Sequence, residues 1–299
     1  MRVGYACLTV GVADTSIKSC RMRNADEKRL FQITENNLLS LEHMLNYNAA
    51  NNIKFYRISS DIIPFGSSPV NNMKWWDVFK EEFEILGKKI RKHNIRVSMH
   101  PGQYTVLNSP NEDVVKRAIM DLDYHARVLD ALGTGTEHKI ILHIGGIYSD
   151  KEKAIERFIY NYSRLGNDIK QRLVIENDDK SYNIADVLAI GRKCGIPVVF
   201  DNLHHKVNPP GSMTGNQIAG IKTNMAINLP DKDMDELEWI NECRKTWKSK
   251  DGTQKIHYSQ QDPDKKPGSH SQSIEVNEFI DFITCSTMAS NSTFFYHSY

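Results

Sequence analysis

Histidine and carboxylate side chains in this chain occur in groups, and the mixture within each group suits metal binding. In chain order the groups are His100-Pro101-Gly102-Gln103-Tyr104, His143 ahead of Gly145-Gly146, Glu176-Asn177-Asp178-Asp179, Asp201-Asn202-Leu203-His204-His205, Lys255-Ile256-His257, and a further His270. Imidazoles mixed with carboxylates suit Zn, Mn or Fe, whereas carboxylates alone would favour Mg or Ca. One such histidine is as often a hydrogen-bonded core residue, but four successive segments ending in His, Glu or Asp form a pattern. The donors exceed what one ion needs, which points to a multi-metal site. Sites of that kind hydrolyse phosphate esters by clamping both the attacking and the leaving oxygen.

Each group follows a short apolar segment, and those segments must position it. The candidate strands are Arg2–Leu8, Lys54–Ser59, Arg96–His100, Lys139–Ile144, Arg172–Asn177, Val198–Asn202 and Gln254–Ser259, short and apolar as buried parallel strands are. Between them the spacing predicts helices over Asp26–Ala50, Trp75–His93, Asn111–Leu132, Lys151–Ile169, Ile184–Lys193, Met234–Lys248 and Val276–Thr284. Gly133, Gly166 and Gly195 stand near helix ends, where a left-handed cap is wanted. Seven strand–helix repeats predict parallel pairing with right-handed crossovers, hence a barrel or an open doubly wound sheet. In a barrel the polar strand ends converge on the C-terminal mouth, where active sites sit. The long irregular stretches, His205–Gln217 and Gln261–Ser273, follow strand ends and are candidate functional loops.

The 299 residues suit one large barrel domain. Lys and Arg (38) nearly balance Asp and Glu (37), so no strongly basic field covers the protein. If nucleic acid binds, the positive charge is local or metal supplies it. Five cysteines without a C-x-x-C pair argue against a structural zinc site and a disulfide framework, and fit a reducing cytoplasm. The apolar opening Met1–Ala13 reads as a strand rather than a signal peptide, and no stretch reaches transmembrane length. The expected setting is cytoplasmic, on the nucleoid when acting on DNA, with no membrane and no obligate protein partner.

A resemblance sharpens this reading. The runs Tyr56-Arg57-Ile58-Ser59-Ser60-Asp61-Ile62-Ile63-Pro64-Phe65, His100–Tyr104, His143–Gly146, Glu176–Lys180 and Lys255–Ser259 are similar to those of the UV damage endonuclease family, as are Asp201 with His204-His205 and the His270-Ser271 pair. The match runs from about Arg2 to about Phe282. It implies a TIM (β/α)8 barrel that binds up to three divalent ions, typically manganese, with Zn, Co or Mg as other candidates. It implies incision of damaged double-stranded DNA on the 5′ side of pyrimidine dimers and 6-4 photoproducts, with abasic sites as a further candidate substrate. Carried over to this chain, His100, His143, Glu176, Asp201, His204, His257 and His270 would be metal ligands. Lys255, with Glu176, would be catalytic; it matches a lysine that can be carboxylated, its bland alternative being an ion pair. Gln103 and Tyr104 match the pair that probes the duplex at a lesion, and Tyr5 matches a tyrosine near the lesion pocket or, alternatively, is a barrel-interior aromatic. Trp75 and Trp76 read as packing residues, and His43, His93, His125 and His138 as non-ligands. Asn177 and Asp178 are candidates for orienting ligands.

Two departures from the family stand out. Ser68 replaces a histidine ligand after the Pro-Phe of the second strand, and a hydroxyl is a poor substitute. The family's eighth strand carries a glutamate ligand, but residues 284–299 contain no glutamate. The expectation is therefore a barrel with its eighth strand degenerate or missing and a divergent tail from residue 284, in which Phe294–His297 is the one strand-like stretch. These departures keep open a catalytically impaired damage-binding protein. An abasic-site endonuclease or a sugar isomerase on the same barrel is the enzyme alternative.

Overall fold

Every polar group named above follows a strand, so the arrangement of strands decides whether the groups meet. The computed structural model describes residues 2–211, 234–288 and 293–296. Its strands are β1 (Val3–Ala6), β2 (Phe55–Ile58), β3 (Arg96–Met99), β4 (Lys139–His143), β5 (Leu173–Glu176), β6 (Val198–Asp201), β7 (Lys255–Tyr258) and β8 (Thr293–Tyr296). All neighbours pair parallel, in sequence order, and β8 returns to β1 to close the barrel. The helices are α1 (Glu27–Ala50), α2 (Trp75–Val78), α3 (Lys80–Lys92), α4 (Glu112–Ala131), α5 (Lys151–Ser163), α6 (Asn167–Arg172), α7 (Ile184–Cys194), α8 (Asn202–Val207), α9 (Glu236–Arg244) and α10 (Val276–Met288). Among the described residues no helix is long and apolar enough to cross a membrane.

Strand side chains alternate between the barrel interior and the helix layer. Ile140, Leu142, Ile175, Val198, Phe200 and Ile256 join the main core with residues of the helices. Ile141, Val174 and Val199 form a separate cluster, and Phe55 and Ala6 another. These separate clusters are the floor of the interior. Two residues further along the same strands stand Arg57, His143, Glu176 and Asp201, with His100 and His257 at the equivalent step on β3 and β7. The period of two thus raises the chemistry one layer above an apolar floor. β1 comes close to β2 because residue 4 is glycine: a Cβ there would lie 1.7 Å from Phe55 O.

Capping side chains start the helices. Asp26, Asn111 and Asp150 accept backbone N–H groups of α1, α4 and α5, and α7 and α9 open on capping boxes, Asn183–Asp186 and Asp235–Glu238. Two expected helices are each divided. Trp75–His93 breaks at Phe79, whose φ of −108° lies outside the helical range. Lys151–Ile169 breaks at Arg164, and Gly166, expected as a left-handed helix end, is instead the extended N-cap of α6 with φ −60°. The main core takes in Trp75, Phe79 and Phe83, so one apolar face continues across the first break and hides it from a periodicity reading. Gly195 does end α7 in the left-handed region. The stretch expected to be irregular from His205 is helical through Val207 and is described only as far as Gly211. The tail expected to diverge supplies β8, so the eighth strand is present though it lacks the glutamate; His297 lies outside the described residues.

Buried charge secures the end of the barrel opposite the polar groups. Lys139 Nζ meets Asp251 Oδ1 at 2.6 Å, Arg172 meets Asp130 at 2.7 Å, and Arg96 donates to the carbonyls of Glu137, Asp251 and Thr253. His138 accepts the Val97 N–H on Nδ1 at 3.0 Å, and burial pushes its pKa down to about 4. The unfolded imidazole, near 6.5, binds a proton first, so stability should be full above that pH and fall as pH drops toward 4. We expect this to cost on the order of 2–3 kcal/mol. In His138→Asn, whose amide oxygen can still accept from Val97, denaturant titrations between those pH values should show a flatter dependence.

Candidate metal centre

At the carboxyl ends of β3, β4, β5 and β7 one carboxylate meets three imidazoles. Glu176 Oε1 lies 2.6 Å from His100 Nε2 and 3.0 Å from His143 Nε2, and Glu176 Oε2 lies 2.5 Å from His257 Nδ1. In register, His143 stands opposite Glu176 and Asp201 opposite His257. Asp201 completes a second group with Glu176 and His257, whose ligand atoms all lie within 4.8 Å of one another. The imidazoles hold the Glu176 carboxyl well below its usual range, against a burial that alone would raise it, with His257 contributing most. Burial pushes His100 down to about 4 and His257 well below the usual imidazole range. For His143 burial acts in the same sense, but the Glu176 charge outweighs it and the net shift is upward.

The donors fit a divalent ion. His100 Nδ1 lies 2.9 Å from Pro101 O and its Nε2 2.6 Å from Glu176, and both partners are acceptors. A neutral imidazole carries one hydrogen. With it on Nδ1, a lone pair on Nε2 faces a carboxylate oxygen, an arrangement that a cation relieves. Asp201 Oδ2 and His143 Nδ1 are buried and have no hydrogen-bond partner among the described residues. Buried polar atoms left in that state are costly, and a metal site accounts for them.

Supporting residues aim the ligands. Asn177 exchanges side-chain bonds with the backbone of Asp201, donating to its carbonyl at 3.0 Å and accepting its N–H at 2.9 Å. Asn177 O accepts from His204 Nδ1 at 2.9 Å, which leaves His204 Nε2 as the nitrogen available to an ion. The His204 ring lies 5.8 Å from that of His143 and 5.7 Å from that of His270, centroid to centroid. A row of imidazoles therefore runs from His257 through His100, His143 and His204 to His270, and brings together every histidine expected as a ligand. His205 stands apart, against Phe200 and Trp239.

Beneath His257 on the same strand face, Lys255 is fully buried. Its Nζ donates to Ser98 Oγ at 2.8 Å and sits 4.9 Å over the Phe55 ring. Burial, reinforced by Arg57, holds its pKa well below the usual lysine range. Arg57 was not among the residues singled out from sequence. Its Nη2 lies 3.3 Å from His257 Nε2, which leaves His257 Nδ1, 2.5 Å from Glu176 Oε2, as the nitrogen that faces the carboxylates. The signal for it was parity: Arg57 is two residues beyond Phe55, as His257 is two beyond Lys255.

Gln103 and Tyr104 stand exposed on the turn that follows His100, Tyr104 with 74% of its surface open. Gly102 O accepts from Thr105 N at 2.9 Å and closes that turn; a Cβ on Gly102 would strike the Tyr104 ring. Tyr5 lies outside the imidazole–carboxylate cluster, and it is not the barrel-interior aromatic expected as its alternative. It occupies the strand position between Gly4 and Ala6, its ring packs on Tyr56, and its hydroxyl bonds Thr9 and Asn48 of α1. Its side chain thus faces the helix layer. Ser68 Oγ accepts Val70 N–H at 3.3 Å, and the residue lines a surface cavity with Trp76 and Arg127.

Fold and site together define a closed (β/α)8 barrel with a candidate metal centre at its C-terminal mouth. Residues 1–290 match the UV-endonuclease UvdE family, and the chain belongs to that family. It is 41% identical over 283 residues to the UV DNA damage endonuclease of Clostridium perfringens (strain 13 / Type A), a match covering 94% of this chain and 64% of that protein. The chain thus spans just under two thirds of that relative's length. The enzyme of the same name from Bacillus cereus (strain Q1) is 33% identical over 289 residues, covering 94% of this chain and 84% of that one. The crystal structure of SacUVDE superposes with a TM-score of 0.86 at 35% identity, covering 100% of this chain and 92% of that one.

The Asn177 side chain makes two hydrogen bonds to the Asp201 backbone. Replacing it with alanine should lower affinity for Mn by about 10- to 100-fold. Calorimetric titration of metal into the folded variant, its fold checked by circular dichroism, measures this.

Proposed function

We propose that this chain is a metal-dependent DNA repair endonuclease that incises the phosphodiester on the 5′ side of ultraviolet lesions. The observation that carries the reading is the joining of two features through one short loop. His100 lies in the imidazole–carboxylate cluster, and the exposed Gln103–Tyr104 pair follows it by three residues. His100, His143, Glu176, Asp201, His204, His257 and His270 would hold the ions, with Mn the leading candidate. Divalent ions bound there supply Lewis acidity and an activated water for phosphoester hydrolysis. The chain's own residues do the rest. Glu176 and Asp201 set the negative charge of the centre. Asn177 fixes the orientation of His204 and the backbone of Asp201. Lys255 presents an amine, held by Ser98, beneath His257. Gln103 and Tyr104 replace the stacking and pairing that damaged bases lose on leaving the helix. A sugar isomerase needs a closed small pocket, and an exposed tyrosine at the mouth has no use there.

The test is strand cleavage of a duplex carrying one defined pyrimidine dimer, with added Mn and with chelator. We expect Mn-dependent incision 5′ to the dimer. Lesion-specific binding without cleavage would instead identify a damage-binding protein, an outcome to which Ser68 and the glutamate-free β8 bear. Gln103→Ala combined with Tyr104→Ala should lower preference for the lesion-bearing duplex while leaving Mn content intact. Each lost base–aromatic stack is worth on the order of 1–3 kcal/mol. Equal losses of binding on damaged and intact duplex would mean that the pair only holds its loop.

A further inference from the structure

The Gln103–Tyr104 turn is exposed, yet both of its ends are anchored in buried structure, and the anchors come from a single turn of α4. At the near end, Ser60 Oγ donates to the His100 carbonyl at 2.7 Å and lies 2.8 Å from His125 Nε2. The one hydroxyl thus bridges the His100 carbonyl and the His125 ring. At the far end, Thr105 Oγ1 donates to Asp121 Oδ2 at 2.6 Å. Asp121 and His125 are successive turns of one helix face, and His125 Nδ1 lies 2.6 Å from Asp121 O. Between them Tyr124 donates its hydroxyl to Ser60 O at 2.8 Å and accepts Ile63 N–H at 3.3 Å, which fixes the segment that carries Ser60. His125, Asp121, Thr105 and Tyr124 are all buried.

None of these side chains reaches the mouth, and none is a ligand. A surface loop needs no such support to exist, and four buried polar residues are an expensive way to supply it. The span they enclose, Pro101–Tyr104, contains the two exposed residues that the functional reading assigns to the duplex. We propose that Asp121, Tyr124 and His125 of α4, acting through Ser60 and Thr105, form a clamp that holds the Gln103–Tyr104 turn rigid, making them positioning residues for lesion discrimination. The inference rests on the reading of Gln103–Tyr104 as the element that meets the duplex. A rigid turn transmits the difference between a weakly stacked step and an intact one, because it cannot relax to fit both. A loose turn adapts to either and the difference shrinks.

Ser60→Ala and Thr105→Val each cut one anchor with little change in volume. Binding would be read by fluorescence anisotropy on duplexes with and without one pyrimidine dimer, the linkage 5′ to it replaced by a non-cleavable methylphosphonate. Each variant should lower the damaged-to-intact affinity ratio by roughly 3- to 10-fold. Mn content should be unchanged, and Thr105→Ser, which keeps the hydroxyl, should restore the ratio. In a background carrying both Gln103→Ala and Tyr104→Ala the same substitutions should cost nothing further, because the residues they position are gone. Losses that persist in that background, or unchanged ratios in the single variants while Tyr104→Ala lowers the ratio, would overturn the clamp. An unchanged ratio in Tyr104→Ala alone would overturn the probe reading itself and the clamp with it.

Discussion

The mouth of this barrel is organised around one buried carboxylate. Glu176 lies within 3.0 Å of imidazole nitrogens from three other strands, and it is 1% exposed. A carboxylate so enclosed is tolerable only with positive charge or hydrogen donors close by. The three histidines meet that need in one protonation state, and a divalent ion meets it better. The strand ends are thus held together by the same electrostatic requirement that makes them a candidate metal site. Arg57 and Lys255 belong to this balance too: two basic groups in the interior layer face a centre whose carboxylates are Glu176 and Asp201.

The two ends of the barrel divide the work. At the amino-terminal end, Arg96, Lys139 and Arg172 are matched with carbonyls and carboxylates at hydrogen-bond distance and hold strands to helices. At the other end polar atoms such as Asp201 Oδ2 lack partners among the described residues. Satisfied buried charge stabilises the native state; unsatisfied polar atoms are tolerated where a ligand completes them. This asymmetry agrees with the general division of such barrels into a stable floor and a chemical mouth.

Much of this was legible in the sequence, for identifiable reasons. Strand ends were readable because buried parallel strands are short apolar runs that stop abruptly at polar residues, as Ile140–Leu142 does at His143. The histidines converged as expected because every strand runs the same way. Tyr5 is not the interior aromatic offered as its alternative role, because its motif position says nothing of which strand face it occupies. The alternation of Gly4 and Ala6 into the interior would have turned it outward. Arg57 went unnoticed for the converse reason, since an arginine inside an apolar run resembles a strand edge. The divisions at Phe79 and Gly166 interrupt backbone geometry without interrupting the apolar face, and periodicity reads only the face. His125 was set aside as a non-ligand; its contact with Ser60 joins residues 65 positions apart and leaves no local pattern. Strand β8 was hard to foresee because its tail lacks the family's acidic marker.

That last strand has a consequence of its own. With no acidic side chain in its segment, β8 serves the barrel through its backbone, as the final stave of a cask that β7 and β1 grip from either side. If it lifted away, those two neighbours would expose bare edges, each a template for strand addition by another molecule. The same event would let the ring spread and draw the staves bearing His257 and Glu176 apart. In this protein, then, opening of the candidate metal centre and self-association under stress would share one structural trigger, and the weakest-marked segment of the sequence guards against both.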